Sequence, residues 1–412
     1  MDRNIRWLAF GGVVRASGLS LILPYVALYL RNVLGLGYAQ IGVLVALLGI
    51  LPLAVYPFGG AIADRLGRRD LFLGALVLEA ASVLGGGAAM RAHALVPVLL
   101  CGAAVSFSGA LGGPALSAYV ADLATGSART QGFTWSRIGW NVGFTAGVLA
   151  GGVFIGFVGF ATVGFVAGAI LIGSTALLAW TLEPSPYDRQ RALGAPRPGT
   201  PGATGGGSAG TGGRLLGDRV FLALCAVFAL GYVAVNQWVT TFPLYANTVL
   251  GIPYADVGIG LALNGVLVVV AQAPTTRAAL GGRHTTLVHL GILLYVAGFL
   301  LFGAVALVPM LVLGGFLASV VILTMGENVL SIPGSTLPSN LAPPGEIGAY
   351  NGAFFAFSGI GQVLATTVGG FVLALGWSPP LTWALLMLPA VPALALGYGW
   401  VAPRISREAD RA

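Results

Sequence analysis

Long apolar stretches separated by short polar segments constrain this chain more than any single motif. An α-helix needs about 20 apolar residues to cross a hydrocarbon layer of roughly 30 Å. The chain is 57% hydrophobic and only 8% charged, with a mean hydropathy of +0.91, which is outside the range of soluble domains. A membrane β-barrel is excluded because the stretches are continuously apolar and do not alternate in polarity. The sequence predicts twelve spans, at 5–30, 38–60, 71–90, 94–118, 138–158, 161–181, 220–243, 255–277, 286–305, 308–330, 348–373 and 380–402.

The distribution of basic residues predicts the orientation of the spans in the lipid bilayer. All 20 basic side chains are arginines, and cytoplasmic loops carry an excess of such residues. With the N-terminus in the cytoplasm, only Arg31 and Arg91 lie outside and Arg15 lies within the membrane. We therefore predict a multi-pass protein of the cytoplasmic membrane with both termini cytoplasmic, and we assign the net charge of +7 to topology rather than to nucleic-acid binding. The remaining 17 arginines fall on the cytoplasmic side, at 3, 6, 65, 68, 69, 129, 137, 189, 191, 197, 214, 219, 277, 283, 404, 407 and 411.

A segment rich in Gly, Pro, Ala and Thr at 183–219 predicts a flexible cytoplasmic linker. It separates two bundles of six spans, at 1–182 and 220–412. The stretch Val33–Gly42 returns as Val249–Gly258 at an offset of 216 residues, which indicates a duplication. The predicted fold class is an all-α membrane protein with twelve transmembrane helices in two pseudo-twofold-related bundles.

A charged motif occupies residues 60–69, between the second and third predicted spans. It places four charges and two glycines, Gly60 and Gly67, in ten residues. It predicts a cytoplasmic turn that makes specific contacts. The complete Gly-x-x-x-Asp-Arg-x-Gly-Arg-Arg pattern resembles the signature of the major facilitator superfamily. The corresponding turn of the second half, Pro274–Arg283, lacks the acidic residue.

This resemblance implies a transporter that works by alternating access, with the substrate held near the membrane midplane. It also implies that Gly60, Asp64, Arg65, Gly67 and Arg68 form a gating motif. Helix N-termini carry unpaired N–H groups and partial positive charge, so we expect the acid of the motif to dock at the start of the eleventh span. The alternative is a solvated loop that only sets the topology.

The resemblance extends to a run around the end of the fourth span, which is similar to drug-exporter-like members of the superfamily. It implies that Asp122 pairs with Arg65 or Arg68, and that Arg137 belongs to the same gating region. Topogenic surface charge is the alternative reading.

Four glycines in the fifth span lie four residues apart and therefore share one helix face. The pattern resembles a motif of drug and proton antiporters of the superfamily, although the expected Gly-Pro pair reads Gly147-Val148. Such a motif implies a role in the direction of transport, and ordinary small-residue helix packing is the alternative. The glycines are Gly139, Gly143, Gly147 and Gly151.

Ionisable residues inside spans are costly and mark substrate or proton pathways. Arg15 lies nine residues beyond Arg6 and Glu79 nine beyond Asp70, which places both about 13 Å from the cytoplasmic entrance at the rise of an α-helix. We predict an ion pair between Arg15 and Glu79, with Glu79 able to take up a proton when the pair opens. A purely structural ion pair is the alternative.

Polar residues in the second half extend the predicted pathway. Glu327-Asn328 resembles a pattern of drug-exporter branches, and its carboxylate is suited to a cation or a proton, with a helix-packing or gate contact as the alternative. Two amides and an indole in the seventh span can bind a substrate by hydrogen bonding and stacking, or can bond to a neighbouring helix. These residues are Asn236, Gln237 and Trp238, with Asn264 in the eighth span as an extension.

The sequence argues against an enzyme. The three histidines, at 93, 284 and 289, have no evident nucleophile or metal-ligand spacing, and the chain has no P-loop. We predict no metal, no cofactor and no nucleic-acid partner. We predict a secondary active transporter, functional as a monomer, that moves small amphipathic molecules by proton-coupled efflux, as multidrug antiporters do. The alternatives are a sugar or other metabolite carrier, by uniport or proton symport, and a non-transporting membrane sensor.

Overall fold

The computed structural model describes residues 3–123, 126–192, 215, 217–279, 281–343, 346–407 and 409–410. Within these helices, the side chains at 56, 57, 59–61, 64, 126–131, 133 and 190–192 are outside the description. Every regular element of the described residues is a helix. The α-helices of the first half are α1 Arg3–Ile22, α2 Val26–Asn32, α3 Tyr38–Leu66, α4 Arg68–Arg91, α5 Leu95–Leu123, α6 Gly126–Thr181 and α7 Pro186–Ala192.

The helices of the second half follow the same scheme, with α8 Arg219–Val235, α9 Thr241–Thr248, α10 Tyr254–Ala279, α11 His284–Val305, α12 Val312–Leu341, α13 Ile347–Ala374, α14 Pro379–Met387 and α15 Ala390–Leu396. Short 3-10 turns at Leu23–Tyr25, Asn236–Trp238 and Pro309–Leu311 and a π-turn at Gly397–Val401 complete the described elements.

The predicted spans are present as apolar helices, which confirms the fold class. Eleven segments of the described residues have the length and hydropathy to cross a membrane, and one of them, Thr134–Thr181, has 48 residues. This segment holds both the fifth and the sixth predicted spans. Gly159 separates them with φ 78° and ψ 166°, a conformation that glycine adopts without a steric penalty. The connection between these two spans is therefore a single residue.

The charged motif is helical almost throughout, so the prediction of a ten-residue turn is wrong. Helix α3 continues to Leu66 and α4 begins at Arg68, with Gly67 between them at φ 99°. Because one glycine with a positive φ reverses the chain direction, the remaining residues of the motif extend the two helices. Gly281, at φ 79°, lies between α10 and α11 in the second half.

The chain divides into two compact units. The first contains residues 1–35, 48–205 and 253–265, and the second contains residues 36–47, 206–252 and 266–412. The first third of α3 thus belongs to the second unit, and the first half of α10 belongs to the first unit. The boundaries predicted at 182 and 220 stay a prediction. The predicted linker begins with the short helix α7, and its residues 193–214 and 216 lie outside the described part of the chain.

Each unit has its own buried core. Mainly aliphatic side chains form one buried cluster of the first unit, which includes Leu8, Phe72, Leu76, Tyr119 and Leu178. Aromatic rings dominate the second, where Phe299 stacks on Trp383 at 5.0 Å and Phe242 stacks on Phe316 at 5.2 Å between ring centroids.

Candidate functional site

A buried ion pair joins α1 to α4 inside the apolar spans. The Arg15 guanidinium donates from Nε to Oε1 of Glu79 at 2.7 Å and from Nη2 to Oε2 at 2.6 Å. The Glu79 side chain is 3% exposed and the Arg15 side chain 18% exposed. This bidentate geometry is the strong form of an arginine–carboxylate contact. The predicted pair is therefore present, and its proposed function in proton movement stays a prediction.

The four glycines of the fifth span pack against the backbone of α1. A Cβ added at Gly139 would lie 2.6 Å from the carbonyl oxygen of Ala9, and one added at Gly143 would lie 2.1 Å from that of Val13. Gly147 and Gly151 repeat the contact one turn at a time, each at 2.2 Å from a carbonyl oxygen of α1. Because an added Cβ would overlap a backbone carbonyl oxygen at each of these positions, only glycine permits this approach. These contacts are those expected of small-residue helix packing.

A second close contact involves Gly152, one residue beyond that stripe. A Cβ on Gly152 would lie 2.5 Å from the carbonyl oxygen of Tyr254 and 3.0 Å from Cα of Gly258. The Tyr25 hydroxyl lies in the same contact and donates to the carbonyl oxygen of Val148 at 2.6 Å. Helices α6 and α10 thus meet within the first unit through a pair of glycines.

An equivalent glycine pair joins α3 to α13 within the second unit. A Cβ on Gly370 would lie 2.5 Å from the carbonyl oxygen of Tyr38 and 2.8 Å from Cα of Gly42. Tyr38 and Gly42 precede Tyr254 and Gly258 by the offset of 216 residues found in the sequence repeat. We call Gly42–Gly370 and Gly152–Gly258 the paired glycine contacts. The members on α3 and α10, Gly42 and Gly258, are at the same repeat position of the two halves, whereas Gly152 and Gly370 are 218 residues apart.

The charged motif is anchored at the start of α4. Arg68, whose side chain is 9% exposed, forms an ion pair with Asp122 of α5 and lies 4.1 Å from the centroid of the Tyr187 ring. Asp188 of α7 accepts hydrogen bonds from the backbone N–H of Arg68 at 2.8 Å and from that of Arg69 at 3.4 Å. The sequence left Arg65 and Arg68 open as partners of Asp122, and the structure pairs it with Arg68.

The other predicted gating residues lie in helices α3 and α6. Gly60 and Asp64 lie in α3, and their side chains are outside the described residues, so the docking of Asp64 stays a prediction. Arg65 lies in the last turn of α3 with an exposed side chain, and Arg137 is exposed in α6.

The amide cluster of the seventh span lies in the 3-10 turn between α8 and α9. Gln237 is fully buried; its amide donates to the carbonyl oxygens of Val233 at 2.8 Å and Ala365 at 3.1 Å, and its oxygen accepts from the Thr241 hydroxyl at 2.6 Å. These bonds tie the turn to α13, as the helix-bonding alternative expects. Asn236 and Trp238 are half-buried: Asn236 bonds to the carbonyl oxygen of Tyr232, and Trp238 packs on Phe242.

Glu327 and Asn328 lie at the middle of α12. Glu327 is half-buried and close enough to Tyr232 and Tyr295 to interact electrostatically with their hydroxyls. The Asn328 side chain donates to the carbonyl oxygen of Leu267 at 3.4 Å, and its Oδ1 is buried without a hydrogen-bond partner among the described residues. Asn264 is buried in α10, in the first unit. The structure therefore does not gather all the predicted pathway residues in one unit.

The sequence was compared with known protein families. The sequence model of the Major Facilitator Superfamily matches residues 8–366. The chain belongs to this superfamily. The match includes residues of both compact units and ends within the eleventh predicted span.

Individual relatives of this superfamily member are distant. An uncharacterized MFS-type transporter of Bacillus subtilis, YttB, is 24% identical over 90% of this chain and 89% of its own length. The multidrug resistance protein MdtH of Edwardsiella ictaluri is 25% identical over 92% and 90%. The class C tetracycline resistance protein of Escherichia coli is 30% identical over 64% of each chain.

Solved structures confirm the superfamily fold. A mutant of the peptide transporter POT in complex with alafosfalin has a TM-score of 0.77 at 18% identity and covers 100% of this chain and 96% of its own. The nucleoside transporter NupG has a TM-score of 0.75 at 15% identity, covering 98% and 100%. At these identities the likeness concerns the fold alone.

Several residues of this superfamily member were not singled out by sequence reasoning. They are Tyr25 and the glycines of the paired glycine contacts, the capping residue Asp188, and Trp140, which lies beside Arg15. The repeat at offset 216 contains Gly42 and Gly258, so their equivalence could be predicted from the sequence. Their contact partners were not, because those lie more than 100 residues away in the chain.

Proposed function

We propose that this transporter exports small amphipathic molecules in exchange for protons. The observation that carries the proposal is the buried Arg15–Glu79 pair within the apolar spans. Burying a carboxylate in such a site costs free energy. A transport function explains its presence there better than a contribution to stability does. When the pair opens, Glu79 is the group that takes up a proton.

Alternating access requires a contact that closes each side of the membrane in turn. In the orientation predicted from the arginines, α3 and α10 begin at the extracellular side, and the paired glycine contacts close that side. The charged motif, anchored by Arg68, Asp122 and Asp188, acts at the cytoplasmic side. The paired glycine contacts open when the transporter exposes its binding site to the extracellular side.

The amphipathic cargo is supported by the sparse charge of the spans. Strongly acidic metabolites require several basic side chains in the binding site, and Arg15 is already paired with Glu79. Relatives named for multidrug and tetracycline resistance support the same class of cargo. A sugar carrier is the competing outcome of the experiment below.

The test is transport by the purified protein in sealed proteoliposomes with an imposed pH gradient. We expect a lipophilic compound such as tetracycline to accumulate only when the gradient is present. The variant Glu79→Gln is expected to abolish this gradient-driven accumulation while exchange of labelled for unlabelled compound continues. Accumulation that ignores the gradient, or gradient-driven transport of a sugar instead, would contradict the proposal.

Two further variants separate proton coupling from a loss of folding. Because Glu79→Gln leaves the Arg15 charge without its partner, the double variant Arg15→Gln/Glu79→Gln provides a neutral pair in the same place. Glu183→Gln removes a carboxylate that is 51% exposed and lies outside the spans, and it should transport as the parent does. A double variant that folds and keeps its pH dependence would exclude Glu79 as the proton site.

A further inference from the structure

Arg15 has a second partner, the indole of Trp140. The Arg15 Cζ atom lies 5.6 Å from the centroid of the Trp140 ring, on the fifth predicted span within α6. Gly139 and Gly143 flank this tryptophan, and their contacts with Ala9 and Val13 hold the two helices at backbone distance. The position of the ring beside the guanidinium is therefore fixed by the helix packing.

Exposure rises along this row of three side chains. The Glu79 side chain is 3% exposed, the Arg15 side chain is 18% exposed, and Trp140 as a whole residue is 39% exposed. A guanidinium within a span avoids hydrocarbon and turns its open side to water or to protein. Trp140 lies beside that guanidinium, so an aqueous pathway along its exposed part is the premise of the proposal below.

We propose that Trp140, held by Arg15, is a stacking site for a planar aromatic ring of the transported molecule. Glu79 balances the charge of Arg15, so the site selects for the shape and π-face of the ring and not for a negative charge. Aromatic rings associate in offset or edge-to-face geometry, which an indole at the edge of a water-filled path can offer. This inference rests on the proposed function for its cargo and adds the class of compound that the first unit recognises.

The experiment measures binding at equilibrium, without a pH gradient, to the full-length protein in lipid nanodiscs. The planar aromatic probe is ethidium, and the ring-free probe of the same charge is tetrabutylammonium. We expect Trp140→Leu to weaken ethidium binding about two- to tenfold, the range of an aromatic pair, and to leave tetrabutylammonium binding unchanged. Trp140→Phe should recover most of the ethidium affinity because it restores a ring.

The matched control is Trp135→Leu, which removes a tryptophan of the same helix that is 47% exposed and five residues earlier. This variant should bind ethidium as the parent does. Failure of the parent to bind ethidium, an unchanged affinity in Trp140→Leu, or an equal loss for both probes would overturn the stacking site. If Trp140→Leu lowers ethidium affinity while gradient-driven transport is absent, the proposed function is wrong and the stacking site stands.

Discussion

The third span of each half begins in a similar cap, although the charged motif is complete in the first half only. In the first half, Asp188 accepts from the first N–H groups of α4, and Arg69 donates to the carbonyl oxygens of Leu182 at 2.9 Å and Ala179 at 3.0 Å. The segment that follows the last span of the half thus returns to cap the third. Such caps satisfy N–H groups that have no partner within their own helix.

The second half repeats this cap with residues from the end of the chain. Asp410 accepts from the Thr285 N–H at 2.7 Å and from its hydroxyl at 2.8 Å, and Arg283 donates to the carbonyl oxygen of Ala402 at 3.0 Å. The cap of α11 therefore comes from 125 residues away, and that of α4 from 120 residues away. The degraded motif of the second half has kept its structural contacts.

The two halves differ in the residue at the position of Arg68. At offset 216 from Arg68 stands His284, which is buried and approaches the Thr336 hydroxyl at 3.3 Å where Arg68 pairs with Asp122. The comparison separates two functions of the motif. Capping is common to both halves and serves stability, whereas the Arg68–Asp122 ion pair has an imidazole and a hydroxyl, His284 and Thr336, at the matching place in the described part of the second half. A gating role of the Arg68–Asp122 pair stays a prediction.

The largest expected effect is on that ion pair. Asp122→Ala leaves the Arg68 charge buried without its carboxylate, and we expect a loss of about 3 kcal/mol in the free energy of unfolding. Thr336→Ala, at the matching place in the second half, removes a neutral contact and should cost about 1 kcal/mol or less. Thermal unfolding of the purified variants measures both. Equal losses would mean that the halves do not differ in the way described.

The paired glycine contacts test the repeat itself. Gly152→Ala and Gly370→Ala each place a Cβ 2.5 Å from a carbonyl oxygen, and overpacking of this kind costs about 1 to 3 kcal/mol. Because Tyr38 and Tyr254 supply the same carbonyl contact, we expect the two variants to slow transport to a similar extent. The control is Gly156→Ala, where an added Cβ meets nothing within 4 Å. Impairment of one variant alone would show that the two contacts are not equivalent.

The two capping carboxylates should contribute about equally. Loss of an N-cap side chain costs about 0.5 to 2 kcal/mol, and we expect Asp188→Ala and Asp410→Ala to fall in this range in thermal unfolding. Asp70→Ala removes an acid of the first turn of α4 that is 69% exposed and serves as the control. If only one of the two variants loses stability, the conclusion that capping is common to both halves is wrong.

The smallest effect is expected for the arginines that accompany the caps. Arg283 is 54% exposed, so its ion pair with Asp410 contributes little, and Arg283→Gln should change stability by about 0.5 kcal/mol or less. Arg69 is 21% exposed and donates to two carbonyl oxygens, so Arg69→Gln should cost more, about 1 kcal/mol. The reverse order in thermal unfolding would contradict the ranking by exposure.

The sequence alone determined the fold class, the number of spans and the duplication. Hydropathy over about 20 residues is a local property, so each span could be recognised without its neighbours. The depth of Arg15 and Glu79 followed from the helix rise counted from charged residues at the span ends, and this was sufficient to predict their ion pair.

Only the tertiary structure decided which partner each residue has. The sequence left Asp122 with two candidate arginines, predicted a flexible linker where Asp188 caps α4, and attached no function to Asp410. These contacts join residues separated by 54 to 125 positions, and they depend on how each helix is rotated and shifted against its neighbour. Hydropathy does not encode that rotation, because an apolar helix in lipid can turn many of its faces toward a partner.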